Sequence, residues 1–307
     1  MILILGVTAS GKGAVAFDLA RKIDAEIISI DSMKAYRRMD IGTAKPSIRR
    51  RSRVKYHLID VVEPYESFSV DRFLDLTHKA IEQIRASHKP VVAVGGTAMY
   101  IKALLYGLFD GPGADSGIRN RLKAEVDLQG PADLHRRLTD VDPEAAHRIH
   151  PNDARRIVRA LEIFELTGKP ISSFQTQFDT RKMLNDWKII GLRREKSLES
   201  GHINARVKRM MDDGLVDEAK ALLAEDRPLS KQARCAIGYA EIIDYLDGKM
   251  TLEKAVEKIK INTRRLAKAQ RTWFKTFRGV NWLDIAEDET PDRVPGRVVA
   301  LVEEKDK

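Results

Sequence analysis

The chain has 307 residues, 43% hydrophobic and 32% charged, enough for one large domain or a core with a smaller inserted unit. A formal charge of +9 and a pI near 9.5 point to an anionic partner, and a single cysteine, Cys235, excludes a disulfide framework and a cysteine-based zinc site. No apolar stretch approaches the roughly 18–20 residues of a membrane span, and the first residues lack the basic region and cleavage site of a signal peptide; the expectation is a cytoplasmic protein with no membrane partner.

Residues 2–5 form a short apolar run that reads as a buried strand. The glycine-rich GVTASGKG follows at once, and helix formers occupy residues 14–23, the order a phosphate-binding unit needs. A second run, 27–30, ends at Asp31. Phe73, Leu76, Ala80, Ile81 and Ile84 keep helical spacing, and residues 91–94 form another strand, ending in Gly95-Gly96-Thr97. Such an alternation predicts an α/β core with a mostly parallel sheet, like that of P-loop NTPases. Ligands of such sheets sit beyond the carboxyl ends of the strands, so the loop 6–13, Asp31 and Thr97 are expected to share one crevice.

Turn-rich DGPGADSG at 110–117 opens a stretch, running to about Phe178, in which the signals are helical. This predicts a helical insertion, 113–185, within a core made of 1–112 and 186–307. Strand-like segments return at 187–192 and 281–283, and the last third is largely helical.

Gly6, Val7, Thr8, Ala9, Ser10, Gly11, Lys12 and Gly13 fit G-x-x-x-x-G-K but break the Ser/Thr that closes the motif. Glycines let backbone amides turn inward around phosphate oxygens, the next helix adds its dipole, and Lys12 adds a full charge. An ordinary glycine turn is the plainer alternative, and the position straight after a strand favours phosphate. The missing hydroxyl normally ligates Mg²⁺. Magnesium is the expected cofactor, with its ligands open: Ser10 or Thr8 as substitute oxygens, or the diphosphate and water.

Residues 31–46, DSMKAYRRMDIGTAKP, resemble the signature of the tRNA dimethylallyltransferase family, usually D-S-M-Q-V-Y-R-G-M-D-I-G-T-A-K-P. Further matches follow in the family's order: His57-Leu58-Ile59-Asp60, Gly95-Gly96-Thr97 with Tyr100, and Asn152-Asp153 through Arg159-Ala160-Leu161-Glu162 to Thr167-Gly168-Lys169-Pro170. Gly214-Leu215, Ile237-Gly238-Tyr239, and Thr263-Arg264 through Gln270 to Thr272-Trp273-Phe274 come later. The resemblance covers roughly residues 1–278. It implies transfer of a dimethylallyl group from dimethylallyl diphosphate to N6 of adenosine 37, beside the anticodon of tRNAs that read codons beginning with U. It further implies Asp31 as general base, with a cap or metal ligand as its plainer role, and Thr97 as donor to the leaving oxygen, with a helix N-cap as its plainer role. Arg206, in a stretch like the family's R-V-x-x-M, would clamp the diphosphate together with the loop 6–13. Asp31, Ser32, Met33, Lys34 and Thr97 would meet the tRNA base. The chain departs from the family at Gly13, at Lys34 where glutamine is usual, and at Ala98 where glycine is usual. An ammonium only donates, whereas a glutamine amide bonds an adenine edge in both senses.

Lys260, Arg264, Lys268, Arg271, Lys275 and Arg278 share one helical face, and no acidic residue lies between Lys258 and Arg278. Such a one-signed stripe favours phosphate contact over a solvated face. Ile259, Leu266, Trp273 and Phe277 recur on another face and are expected to pack into the core. Lys45, Arg49, Arg50, Arg51, Arg53 and Lys55 form a second basic run, either a phosphate-facing or a mobile loop face. Arg119, Arg155, Arg156 and Arg159 are tRNA contacts by resemblance, with pairing to Asp153 and Glu162 as the alternative. The expected partners are thus dimethylallyl diphosphate and the tRNA anticodon stem-loop, and the protein is expected to be a monomer. Three other readings stay open: an inactive or re-tasked RNA-binding paralogue, a prenyltransferase for free adenylate nucleotides, and a nucleotide-dependent kinase. The kinase is disfavoured by the lost hydroxyl at Gly13.

Overall fold

In the computed structural model, residues 1–108, 111–175, 183–286, 289 and 293–303 are described. Asp110 and Phe178, the limits used above for the helical stretch, lie outside the described residues. The apolar runs become strands β1 (Ile2–Gly6), β2 (Glu26–Ile30), β4 (Val91–Gly95), β5 (Lys188–Arg193) and β6 (Val280–Asp284), joined by a two-residue strand, β3 (Tyr56–His57). All pair in parallel, in the order β3-β2-β4-β1-β5-β6. Every residue of β1 and β2 is buried, which is why β1 is continuously apolar and β2 mostly so, with Glu26 held by His57 and Lys55. From β1 the chain runs out to β2 and the edge strand β3, returns to β4 beside β1, and then crosses to β5 and β6 on the other side. The loop after β1 therefore occupies the switch point of the sheet.

Compact packing divides the chain into a unit of Met1–Leu105 with Asn185–Lys307, and a second of Tyr106–Leu184. The first carries the sheet and helices α1 (Lys12–Lys22), α2 (Ile48–Arg51), α3 (Val70–Ala86) and α4 (Ala98–Tyr106, whose last residue opens the second unit). After the second unit come α9 (Lys196–Asp212), α10 (Leu215–Leu223), α11 (Lys231–Arg234), α12 (Tyr239–Leu246), α13 (Leu252–Phe274) and α14 (Val294–Glu303). Ile4, Ile27, Val92 and Ile190 from the sheet pack with Leu19 of α1 and Val298 of α14. The first segment of the first unit ends at Leu105, near the end of α4 and ahead of the turn at 110–117.

The second unit holds α5 (Ser116–Gln129), α6 (Pro131–Val141), α7 (Pro143–Arg148) and α8 (Ala154–Thr167) around Leu122, Leu138, Ile157 and Leu161. Within it Glu162 has no exposure. Burial alone would raise its carboxyl, but hydrogen bonds from Arg119, Arg159 and the Asp115 amide hold it below the usual carboxylate range. Arg159 also donates to the carbonyls of Pro112 and Gly113, pinning the segment before α5. Among the described residues, no helix is long and apolar enough to cross a membrane.

Glu162→Ala strands two arginines and a backbone amide, and is expected to destabilise the second unit by about 3 kcal/mol in urea unfolding. Glu162→Gln, which keeps an acceptor, is expected to cost less. The stability contributed by the ionised carboxylate is fully present above the unfolded carboxyl's pKa and is lost as pH falls through the lowered folded value. The wild type should therefore lose more stability in acid than Glu162→Gln.

Candidate active site

The loop between β1 and α1 has the backbone of an anion cradle. Ala9 and Gly11 adopt positive φ of 62° and 88°, and α1 starts at Gly11 with no side-chain cap. The loop is pinned by Ser10 N donating to Val7 O at 3.2 Å and by Thr8 N donating to Gln270 Oε1 at 2.8 Å. Among the described residues, the amides of Ala9, Gly11, Lys12 and Gly13 find no acceptor, so they and the helix dipole are available to an anion.

The carboxyl ends of β2 and β4 bring the next residues to the same place. A side chain on Gly95 would overlap the carbonyl of Ile30, so only glycine lets these strand ends close up. Thr97 Oγ1 accepts from Ser32 N at 3.2 Å, tying the loop after β4 to the turn after β2. The hydroxyl thus serves that tie, not an N-cap of α4, and its own proton remains to donate. Asp31 Oδ1 accepts from the amides of Met33 and Lys34 at 3.0 and 3.3 Å, which aims the carboxylate. Its Oδ2 has no hydrogen bond among the described residues.

These groups line a crevice of about 1040 Å³, together with Ser32, Met33, Lys34 and Arg206. All its lining residues belong to the first unit. Burial, then the charges of Lys34 and Arg206, pull the Lys12 ammonium down to about 7, with Asp31 acting in the opposite sense. Burial lowers Lys34 too, against the pull of Asp31, with Arg206 and Lys45 adding to the lowering. Burial likewise lowers Arg206. Three basic groups thus surround one carboxylate, an arrangement that favours a bound anion.

The residues of α13 differ from the sequence reading. Ile259 and Phe277 are buried, but Leu266 and Trp273 are 40% and 37% exposed and line the crevice instead of the core. Gln270 takes the inward position: its Oε1 holds Thr8 N, and its Nε2 donates to Gly96 O at 2.9 Å. A Cβ on Gly96 would lie 2.5 Å from that Nε2. The sequence reading matched Gln270 to a motif without assigning it work. The signal was available, since a polar side chain sits in the stripe Ile259, Thr263, Ala267, Gln270, Phe274 that α13 buries.

The remaining signature residues build the wall. Glu218 accepts from the amides of Asp40, Ile41 and Gly42 and from the Tyr239 hydroxyl, and Gly42 leaves no room for a Cβ against the Tyr239 ring. Lys45 is buried between Asp40 and Asp60, Arg51 also pairs with Asp60, and Lys55 pairs with Glu26. Half of the second basic run is therefore structural. Ala98 opens α4 as a buried methyl group.

Of the two substitute hydroxyls only Thr8 lines the crevice, and with one carboxylate, Asp31, it falls short of a resident magnesium cage. Gly13 brings no hydroxyl. Ser10 Oγ is buried without a partner 2.7 Å from where a Cβ on Gly6 would stand, beneath the loop rather than in the crevice. Among the described residues Asp31 is the one carboxylate of the lining, and no three His, Cys, Asp or Glu stand together.

The basic stripe is partly spent. Lys260 and Arg264 pair with Glu257, and Arg271 pairs with Glu199 of α9. Lys268 and Lys275 are exposed and make no ion pair among the described residues. In the second unit Arg119 and Arg159 serve Glu162, Arg156 pairs with Asp153, and Arg155 is exposed. The pairing alternative thus describes three of those four arginines.

The family model described as IPP transferase matches residues 34–277. The chain is 44% identical over 284 residues, 92% of each chain, to a tRNA dimethylallyltransferase of Geobacter metallireducens. It is 43% identical over 304 residues, 98% of its length and 93% of the relative's, to one of Geobacillus kaustophilus. Among solved structures it is similar to the tRNA isopentenylpyrophosphate transferase of Bacillus halodurans, with a TM-score of 0.72 at 39% identity over 99% of this chain and 97% of that one. It is also similar to a eukaryotic dimethylallyltransferase acting on tRNA, with a TM-score of 0.83 at 26% identity over 99% of this chain and 79% of that one.

With its pKa near 7, Lys12 is mostly neutral at pH 8 in the free protein, and a bound anion restores its charge. Binding of inorganic pyrophosphate at pH 8 is expected to take up close to one proton. Calorimetry in two buffers of different ionisation enthalpy measures this, and Lys12→Arg, charged throughout, is expected to reduce the uptake to the share that Lys34 contributes.

Proposed function

The chain belongs to the IPP transferase family, and on that premise we propose that it moves a dimethylallyl group from dimethylallyl diphosphate to N6 of adenosine 37, beside the anticodon, in tRNAs that read codons beginning with U. The observation that carries this reading is the convergence of Asp31, Thr97, Lys12 and the open loop amides on one crevice. The diphosphate lies against those amides, Lys12 and Arg206. The dimethylallyl group lies toward Met99, Leu266 and Trp273, an exposed apolar part of the lining. The target adenine leaves its stack to enter, since its N6 is otherwise out of reach.

Asp31 accepts the proton of N6 as the nitrogen bonds to C1 of the donor and the C1–O bond breaks. Thr97 donates to the oxygen that leaves, and the cations and amides take up its charge as diphosphate departs. An ion accompanying the donor would arrive on the diphosphate, held by its oxygens and water. The same proposal includes a monomer working in the cytoplasm on the tRNA anticodon stem-loop.

A second reading, prenylation of free adenylate, draws support from the three stripe cations already paired with Glu257 and Glu199. Incubation with dimethylallyl diphosphate and a tRNA whose anticodon is followed by adenosine separates the two. Added mass of one isopentenyl unit on that base is expected; modification of AMP with none on tRNA would reverse the choice. Asp31→Asn is expected to slow single-turnover transfer by roughly 10²–10⁴ with tRNA affinity little changed. Changing Lys268 and Lys275 together to Gln is expected to flatten the log–log salt dependence of tRNA binding by about 1.5, at roughly 0.7–0.9 per phosphate contact. An unchanged slope would leave both as solvated side chains.

A further inference from the structure

We infer that Lys34 supplies, from the protein, the positive charge that a metal ion brings to the diphosphate in other phosphate-loop enzymes, so that this chain holds its donor without magnesium. The inference rests on the proposed donor and concerns how its charge is met.

Two observations meet here. The first is a missing ligand: Gly13 stands where a hydroxyl would hold the ion, the hydroxyl of Ser10 is turned under the loop, and among the described lining residues Asp31 is the only carboxylate, leaving Thr8 as the one loop hydroxyl in the crevice. Space is not the reason for the glycine, because a Cβ there would meet nothing within 4 Å. The second is a cation in surplus. Lys34 lines the crevice, and among the described residues its Nζ makes no hydrogen bond or ion pair, although Lys45 nearby is closed between two carboxylates.

Holding an unpaired, half-buried ammonium beside other basic groups is costly unless an anion joins it. Lys12 reaches the crevice from the phosphate loop, Arg206 from α9, and Lys34 from the turn after β2. The three approach from separate elements, and Asp31 can neutralise only one of them. A diphosphate, carrying more than one negative charge, completes the balance. Lys34 delivers its charge through a fixed turn, whose amides at 33 and 34 are bonded to Asp31, so it needs no ordering of water or ion when the donor binds.

Calorimetry tests this with inorganic pyrophosphate and with dimethylallyl diphosphate, each in EDTA and in millimolar Mg²⁺, without tRNA. Wild-type affinity for both ligands is expected to agree within about threefold between the two conditions. Lys34→Gln is expected to weaken binding in EDTA by about ten- to a hundredfold, the loss of one charge-assisted contact, with Mg²⁺ recovering part of it. Gly13→Thr, at an open position, is expected to gain less than about threefold in Mg²⁺. Wild-type binding more than about tenfold tighter in Mg²⁺, or a folded Lys34→Gln that matches the wild type in EDTA, overturns the inference. A Gly13→Thr gain above about tenfold in Mg²⁺ overturns it independently of any Lys34 variant. If pyrophosphate binds through Lys34 in EDTA but dimethylallyl diphosphate does not bind at all, the charge assignment stands and the donor reading falls.

Discussion

One buried amide joins the two halves of the site. Gln270, on α13, spends its oxygen on the backbone of the phosphate loop at Thr8 and its nitrogen on the carbonyl of Gly96. Both partners lie where water is largely excluded, and leaving either one unpaired would cost on the order of 1–3 kcal/mol. The bridge therefore sets the spacing between the cradle for the leaving group and the Thr97 side of the crevice. Gly95 and Gly96 are glycines because the Ile30 carbonyl and the Gln270 amide occupy the space a side chain would take. Thr97 then ties the loop after β4 to the turn after β2 through the Ser32 amide, and Asp31 closes that turn by accepting from the amides of Met33 and Lys34.

The same economy explains signature residues that touch no substrate. Glu218 fills the turn at 40–42 with a carboxylate that accepts from three amides and from Tyr239, and Lys45 is buried between Asp40 and Asp60. These contacts hold the wall that presents Met33 and Lys34. A long run of motif residues around a few reactive groups is expected when a site must keep a cluster of like charges in place.

Legibility in the sequence followed the range of the interactions. The strand, glycine loop and helix order at 2–23, the strand ends at Asp31 and Thr97, and the basic stripe of α13 depend on neighbours in sequence, and they were readable. Partners far apart in the chain were not. Arg271 meets Glu199 and Arg119 meets Glu162 only because helices pack side by side, so a stripe that looks uncompensated along its own helix is partly compensated across it. Leu266 and Trp273 have the spacing of core residues but face the crevice, since Gln270 takes the inward position to reach two loops. Strand β3 has two residues, too short for any periodicity to reveal. The downward turn of the Ser10 hydroxyl depends on the backbone at Gly6, which no spacing rule records.

The claim that one side chain couples the diphosphate cradle to the base side is tested most directly by Gln270→Met, a change that keeps bulk and removes both hydrogen bonds. Pyrophosphate affinity and single-turnover prenyl transfer should be measured together on the variant, with cooperative unfolding as the check on folding. A folded variant in which both fall by about tenfold or more is the expected result. A folded variant that binds and transfers like the wild type would contradict the coupling and leave Gln270 as a satisfied core residue.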